Sequence, residues 1–248
     1  MKMNNILKTT ALLLGSSVLL SGCIKETFPE SGYATSDQTA ESPFAKEGLI
    51  TAMPTVLITN YIDLGEHIDF GYPGIFGATD RMVGEVFPVS GNLPGGNWQA
   101  WLYPGNSTGL AANGKMSPFF YTNYYKFIFT ANEAIDIANQ SEGAEEMMGI
   151  AKTFRALCYL DLARLYDALP AKAPERPAYE TELEAVKGLT VPIVREDTSM
   201  EELENNPRVS REEMFKFIFE DLNTAETLLA NYTPATKNLP SLAVIYGL

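Results

Sequence analysis

The sequence predicts an all-α protein whose helices are separated by long loops rich in Gly and Pro. Three observations predict it. Beyond residue 118, apolar residues recur at i, i+3, i+4 and i+7 through three long stretches, the pattern of helices that bury one face. Between residues 63 and 118, Gly and Pro are too dense for a helix of normal length. Hydrophobic residues make up 46% of the chain, enough for a packed core and too many for a disordered polypeptide.

In chain order, the first element is a leader. Lys2 and Lys8 precede an apolar run from Ala11 to Leu20. That run is too short to cross ~30 Å of hydrocarbon as a helix, but it fits the apolar centre of an export signal. Leu20-Ser21-Gly22-Cys23 resembles a bacterial lipobox, in which the thiol is alkylated by diacylglycerol and the chain is cut just before it. The alternative is an ordinary secretory signal with an incidental cysteine. On the lipobox reading residues 1–22 are a signal peptide, Cys23 is the lipidation site, and the mature chain begins there. Further acylation at the new terminus supplies the hydrocarbon that stable anchoring needs. Residues 23–41 are polar, with Pro29 and Gly32, and read as a tether.

The helical domain is expected over 42–248. Ser42-Pro43 suits an N-cap followed by Pro in the first turn. Leu49, Met53, Val56 and Leu57 then recur at helical spacing, with Pro54 expected to kink or split the helix. Asp63 to Pro118 reads as a long loop region, with "GYPGIFG", "NLPGGNW" and "YPGNSTG". Loops of such length within a domain are often functional. In "FFYTNYYKFIFTANEAIDIAN", Phe120, Tyr124, Phe127, Ile128, Ala131, Ile135 and Ala138 line one face, and Asn123, Lys126, Glu133 and Asp136 lie largely away from it. "EEMMGIAKTFRALCYLDLARLYD" is apolar on nearly every side and predicts a helix buried between neighbours. Asp167 to Ser210, rich in proline and with a short β-like run Leu189 to Val194, reads as an excursion from the helical body. Ser210 and Glu213 predict a capping box. The helix it opens carries a stripe of Met214, Phe215, Ile218, Phe219, Leu222, Ala225, Leu228 and Leu229. After Pro240 an apolar helix begins with little chain left to cover it, so the sequence reads as the N-terminal part of a longer protein.

Charge and chemistry narrow the function. The formal net charge is −13, and every acidic residue lies beyond Cys23 while Lys2 and Lys8 lie before it, so the mature chain is more acidic still. Such a surface repels phosphate backbones and argues against nucleic-acid partners. After the signal no apolar run is long enough to cross a membrane. Cys158, among apolar residues, is expected to be a small buried hydrophobe. Gly105-Asn106-Ser107-Thr108-Gly109 matches a nucleophile-elbow pattern, but Pro104 precedes it and the only histidine, His67, lies upstream, so a loop is the better reading. A single histidine also argues against a zinc site, and no metal or cofactor is expected. Arg155, on a nearly all-apolar helix, needs a partner, with Asp136 or Glu133 as candidates. Both tryptophans, Trp98 and Trp101, sit with Tyr103 in the Gly/Pro loop "GGNWQAWLYPG". In such a loop these rings can stack on sugar faces, or fold down to cover the core as large aromatics commonly do.

The ordered set of segments resembles one family. "AKTFRALCYLDLARLYDALP" is similar to a characteristic helix of SusD/RagB-like outer-membrane nutrient-uptake lipoproteins. "GLTVPIV" and "NNPRVSREEMFKFIFEDLNTAETLL" follow in that family's order, and "YTNYYKFIFTANEAIDIA" resembles its preceding helix. Asp167-Ala168 stands where a Tyr-Gly pair is common, and family members are usually much longer than this chain. The resemblance implies TPR-like helix pairs with loop insertions, present here as an incomplete family fold. It implies a non-enzymatic protein that binds nutrient oligosaccharide and delivers it to a TonB-dependent, SusC-like transporter. It also implies residence on the outer membrane through the lipid alone, facing outward, a reading that Cys23-Ile24-Lys25-Glu26 matches in part. Trp98, Trp101 and Tyr103 are then the candidate ligand-binding residues. A peptide-binding member of the same family, or a TPR-like scaffold that contacts only proteins, are the alternatives.

Overall fold

Three long helices carry the architecture, and the middle one is covered by the other two. The computed structural model describes residues 41–58, 71–82, 85, 116–167 and 184–248, all within one compact unit. Numbered among these residues, the helices are α1 (Pro43–Ile58), α2 (Tyr72–Met82), α3 (Met116–Asn139), α4 (Glu145–Tyr166), α5 (Met200–Glu204), α6 (Arg211–Leu228) and α7 (Leu242–Gly247). The helical class expected from the sequence holds. Among the described residues there is no strand, only an isolated antiparallel bridge between Leu189 and Ser210.

Packing follows the apolar patterns. On α3, Phe120, Tyr124, Phe127, Ile128, Ala131, Ile135 and Ala138 are all buried. Asn123 is buried too, contrary to the stripe reading, and it donates from its amide to the Phe119 carbonyl one turn earlier at 2.9 Å. That local bond lowers the cost of placing an amide in the core. A turn through Gly143 then brings α4 back against α3, and the positive φ of 68° there suits a residue without a Cβ. α4 packs against α3 on one side and α6 on the other, as its all-round apolar surface predicts. Its approach to the α6 end is close: a Cβ on Gly149 would lie 2.7 Å from Leu229 Cγ. Cys158 is buried as expected, and burial, with Asp161 nearby, pushes its thiol well above the ordinary range.

α1 runs through Pro54 unsplit. Two expectations need correction. Within the stretch read as loop, α2 forms an 11-residue helix. Pro73 falls in its first turn, where a missing N–H costs nothing. Tertiary contacts hold α2 where local propensity does not: Ile75 and Ala78 are buried, and Tyr72 donates to Asp161 Oδ2 on α4 at 2.6 Å. Tyr124 donates to the same oxygen at 3.1 Å, so one carboxylate ties α2, α3 and α4 together. The second correction concerns α6, whose buried residues are Met214, Phe217, Ile218, Asp221, Leu222 and Ala225. Five of the eight expected stripe residues, Met214, Ile218, Leu222, Ala225 and Leu229, are buried and Phe215 and Leu228 are half-buried, but Phe219 is exposed while Phe217 and Asp221 lie in the core. At the α6 start, Ser210 accepts from the Glu213 N–H at 3.1 Å as expected. The reciprocal capping box is formed one element earlier, between Ser199 and Glu202 at the start of α5.

The short α7 buries Ile245, while Tyr246 is exposed and donates to Glu226 on α6 at 2.7 Å.

Candidate functional site

The described part of the excursion, 184–210, is strapped across the helices by its backbone. Thr190 N–H donates to Val209 O at 2.8 Å and Arg211 N–H to Gly188 O at 2.8 Å, which closes the strap on itself. Tyr125 donates to Pro192 O at 2.5 Å, and Asn132 donates to Val194 O at 3.1 Å. Tyr159 donates to the same Val194 carbonyl and accepts from the Val194 N–H at 2.8 Å. Extended backbone that lacks a sheet partner must find its hydrogen bonds elsewhere, and here α3 and α4 supply them.

Arg155 fastens the next residue group. Its side chain is fully buried and grips Asp221 with two bonds, Nε to Oδ2 at 2.7 Å and Nη2 to Oδ1 at 2.9 Å. Its Nη1 donates to Asn132 Oδ1 at 2.8 Å and to Glu196 Oε2 at 2.5 Å. Lys152 adds a second cation to Asp221 at 2.8 Å. The partners are therefore Asp221, Glu196 and Asn132, not Asp136 or Glu133 as the sequence suggested; Asp136 instead accepts from Gln140. Burial opposes the charge on Arg155, but the Asp221 and Glu196 carboxylates outweigh it and hold the guanidinium protonated. Burial likewise works against an ionised Glu196, yet Arg155 keeps its carboxyl below the usual value. Each of these charges is committed to another, so the cluster is a fastening rather than a reactive centre.

Three concave surfaces stand out among the described residues. A groove of about 680 Å³ is lined by Thr198, Ser199, Glu201, Glu202 and Asn205. A neighbouring groove of about 410 Å³ is lined by Arg195, Glu213, Lys216, Phe217 and Glu220. Arg195 pairs with Glu220 at 3.4 Å and lies over the Phe217 ring, 4.4 Å from its centroid. The third surface differs in kind. On α3, Tyr121, Tyr125 and Phe129 form one row at i, i+4 and i+8, beside a second row of Thr122, Lys126 and Thr130, around about 550 Å³ of space. Phe129 is 63% exposed and Tyr121 38%, which is unusual for rings a core could use.

Two rings of the aromatic row, Tyr121 and Tyr125, are braced from below. The Tyr121 and Tyr125 rings lie 4.4 Å apart at 36°. Tyr166 stands edge-on to Tyr121 at 5.8 Å, and its hydroxyl donates to Ser117 O. Tyr125 is edge-on to Tyr159, which is edge-on to Phe217. Burial, together with the neighbouring tyrosines, pushes the Tyr125 hydroxyl far above its ordinary value, so it stays a neutral donor to the strap. The sequence reading missed this row. Its signal, aromatics four residues apart on the side turned from the core stripe, is present in the sequence at Tyr121, Tyr125 and Phe129.

Cys23, His67, Trp98, Trp101, Tyr103 and the Gly105 to Gly109 stretch lie outside the described residues. Among the described residues no group of three or more His, Cys, Asp or Glu is placed to hold a metal ion, and no helix is long and apolar enough to cross a membrane.

A SusD-like family model described as "Starch-binding associating with outer membrane" matches residues 98–247. The chain belongs to the SusD-like family. Its fold is similar to that of a SusD-like carbohydrate binding protein from Bacteroides vulgatus, with TM-score 0.59 at 20% identity over 82% of this chain and 39% of that one. It is also similar to a SusD-like protein from Bacteroides fragilis, with TM-score 0.57 at 16% identity over 86% of this chain and 35% of that one. A SusD-like carbohydrate binding protein, also from Bacteroides fragilis, gives TM-score 0.50 at 17% identity, over 79% and 34%. The chain thus spans about two fifths or less of the length of each of these structures. Among curated proteins none matches. The likeness makes the α3–α4 pair and its partner α6 part of a TPR-like helical fold.

Proposed function

We propose that this protein binds a nutrient oligosaccharide at the cell surface and delivers it, without catalysis, to a TonB-dependent, SusC-like transporter in the outer membrane. The observation that carries the reading is the match of residues 98–247 to a family described as starch-binding and associated with the outer membrane. Two of the similar solved structures are themselves carbohydrate binding proteins. In this reading residues 1–22 are the signal peptide, Cys23 carries the lipid, 23–41 are the tether and 42–248 the binding body. The lipobox Leu20 to Cys23 supports the anchor, and the acidic surface favours a neutral ligand over a phosphorylated one. Trp98, Trp101 and Tyr103 fall inside the matched residues and offer faces for sugar stacking.

The test is affinity electrophoresis of the full-length protein, freed of its lipid by Cys23→Ser, through gels containing amylopectin, xylan, mannan or dextran. At least one polysaccharide should retard it. Trp98→Ala and Trp101→Ala should each weaken that binding by roughly tenfold to a hundredfold, the loss of about 1–3 kcal/mol of apolar contact, with far-UV dichroism unchanged. In cells, Cys23→Ser should abolish palmitate labelling and release the protein from membranes. Free migration through every gel refutes the binding reading, and membrane association that survives Cys23→Ser refutes the anchor.

A further inference from the structure

We propose that the paired rows on α3 form a glycan-stacking subsite made of helix residues alone, with Tyr121 and Phe129 as its platforms. The inference rests on the glycan-binding reading and adds a place and a mode of contact to it. Three observations select this surface. First, its rings are not core residues left uncovered at random. Tyr121 is held edge-on by Tyr166 and stacked at a tilt on Tyr125, which is itself anchored to Pro192 O. A ring that is already immobilised loses little freedom when a ligand lies on it, so its contact area converts efficiently into affinity.

Second, the two rows have complementary chemistry. The aromatic row runs over two helical turns, about 12 Å along the axis, and the row beside it carries the hydroxyls of Thr122 and Thr130 and the ammonium of Lys126. The Thr130 hydroxyl donates to Lys126 O at 3.1 Å, which leaves its oxygen able to accept. A pyranose has an apolar C–H face and a rim of hydroxyls. Laid along α3, it meets rings with its face and Thr122, Lys126 or Thr130 with its rim.

Third, charge fits a neutral ligand. The chain carries a net charge of −13, so an anionic ligand approaches against the field, while an uncharged polyol does not. The surface also lies within residues 98–247, the part that matches the starch-binding family. The two grooves beside the strap lack these features, since their charged side chains include Arg195 paired with Glu220 and Glu202 engaged in a cap.

The experiment uses the same full-length, lipid-free protein and the same four polysaccharide gels, comparing wild type with Phe129→Leu, Phe129→Trp and Tyr121→Leu. Phe129 is 63% exposed, so these variants should fold, which far-UV dichroism checks. Leucine keeps an apolar surface and removes the ring, whereas tryptophan keeps a ring face. The expected result is weaker retardation by about tenfold for Phe129→Leu and Tyr121→Leu, with Phe129→Trp at or above wild type. Wild-type retardation that neither leucine variant changes overturns the subsite and leaves the glycan-binding reading intact. Equal loss in Phe129→Leu and Phe129→Trp also overturns it, because a shape requirement rather than ring stacking is then at work. A wild-type protein that no gel retards overturns both readings together.

Discussion

Removing the carboxylate of Asp221 tests whether the buried ion cluster fastens the fold. Asp221→Ala deletes both acceptors of the Arg155 fork, at 2.7 and 2.9 Å, and the acceptor of Lys152 at 2.8 Å. Lys152 is partly exposed and water can replace its partner, so that bond adds little. Arg155 has no such recourse, because its side chain is fully buried. Glu196 and Asn132 still hold Nη1, but Nε and Nη2 lose their Asp221 acceptor. Truncating one member of a buried pair costs about 3–5 kcal/mol when the other charge is left uncompensated; Glu196 still pairs with Arg155, which places the loss toward the lower end of that range. For a chain of this size that range corresponds to a fall in Tm of roughly 6–20 °C. Urea unfolding of the full-length protein, followed by far-UV dichroism, gives the free energy directly. A second variant, Arg155→Met with Asp221→Leu, removes both charges and should be clearly more stable than Asp221→Ala alone. A loss under about 1 kcal/mol for Asp221→Ala, or a double variant no better than the single one, refutes the claim that the charge is stranded.

Two further predictions concern the same helices. Gly149→Ala improves helix propensity by about 1 kcal/mol, yet its Cβ would sit 2.7 Å from Leu229 Cγ and 3.3 Å from Leu228 Cβ. Overpacking of this kind costs about 1–3 kcal/mol, so the variant should be no more stable than wild type, and a rise in Tm would show that the α4–α6 contact yields freely. Because Arg155 holds the Glu196 carboxyl below its usual value, Glu196 stabilises the fold fully above its unfolded pKa of about 4.3, and that contribution fades as pH falls through the lower folded value. Thermal melts from pH 6 to about pH 3 should therefore show a shallower acid loss for Glu196→Gln than for wild type; parallel curves would remove Glu196 from the account.

Much of this architecture was readable in the sequence, and the misreadings share a cause. Burial at period 3.6 is written locally, so the α3 stripe from Phe120 to Ala138 and the all-round burial of α4 could be read without knowing any neighbour. A long-range polar contact is not written locally. Arg155 announced that it needed a counter-charge, but Asp221 lies 66 residues away and Glu196 lies 41 away, on a segment without helical pattern. On α6 the expected stripe holds at Met214, Ile218, Leu222, Ala225 and Leu229, but it includes the exposed Phe219 and omits Phe217 and Asp221, whose burial depends on the distant Arg155. The α2 helix fails for the same reason in reverse. Its Gly and Pro content argues for a loop, and what overrides that content is the Tyr72 bond to Asp161, which no local window contains.

The α3 surface shows where core logic stops and function has to be asked about. Seven aromatic residues lie between Phe119 and Phe129 on that helix, and burial accounts for Phe119, Phe120, Tyr124 and Phe127, which pack in the core. Tyr125 is half-buried and spends its hydroxyl on the strap. Tyr121 and Phe129 remain: Tyr121 is held in part by its contacts with Tyr125 and Tyr166, and Phe129, 63% exposed, leaves the larger face open. Tyr166 fixes Tyr121 edge-on, and Tyr125 carries that bracing to Tyr159 and Phe217, beside the Arg155 cluster. The fastening that holds the helices together thus also holds the platform still. It follows that Asp221→Ala should weaken polysaccharide binding even at temperatures where the variant remains folded, whereas Gly149→Ala, remote from this row of rings, should leave binding unchanged.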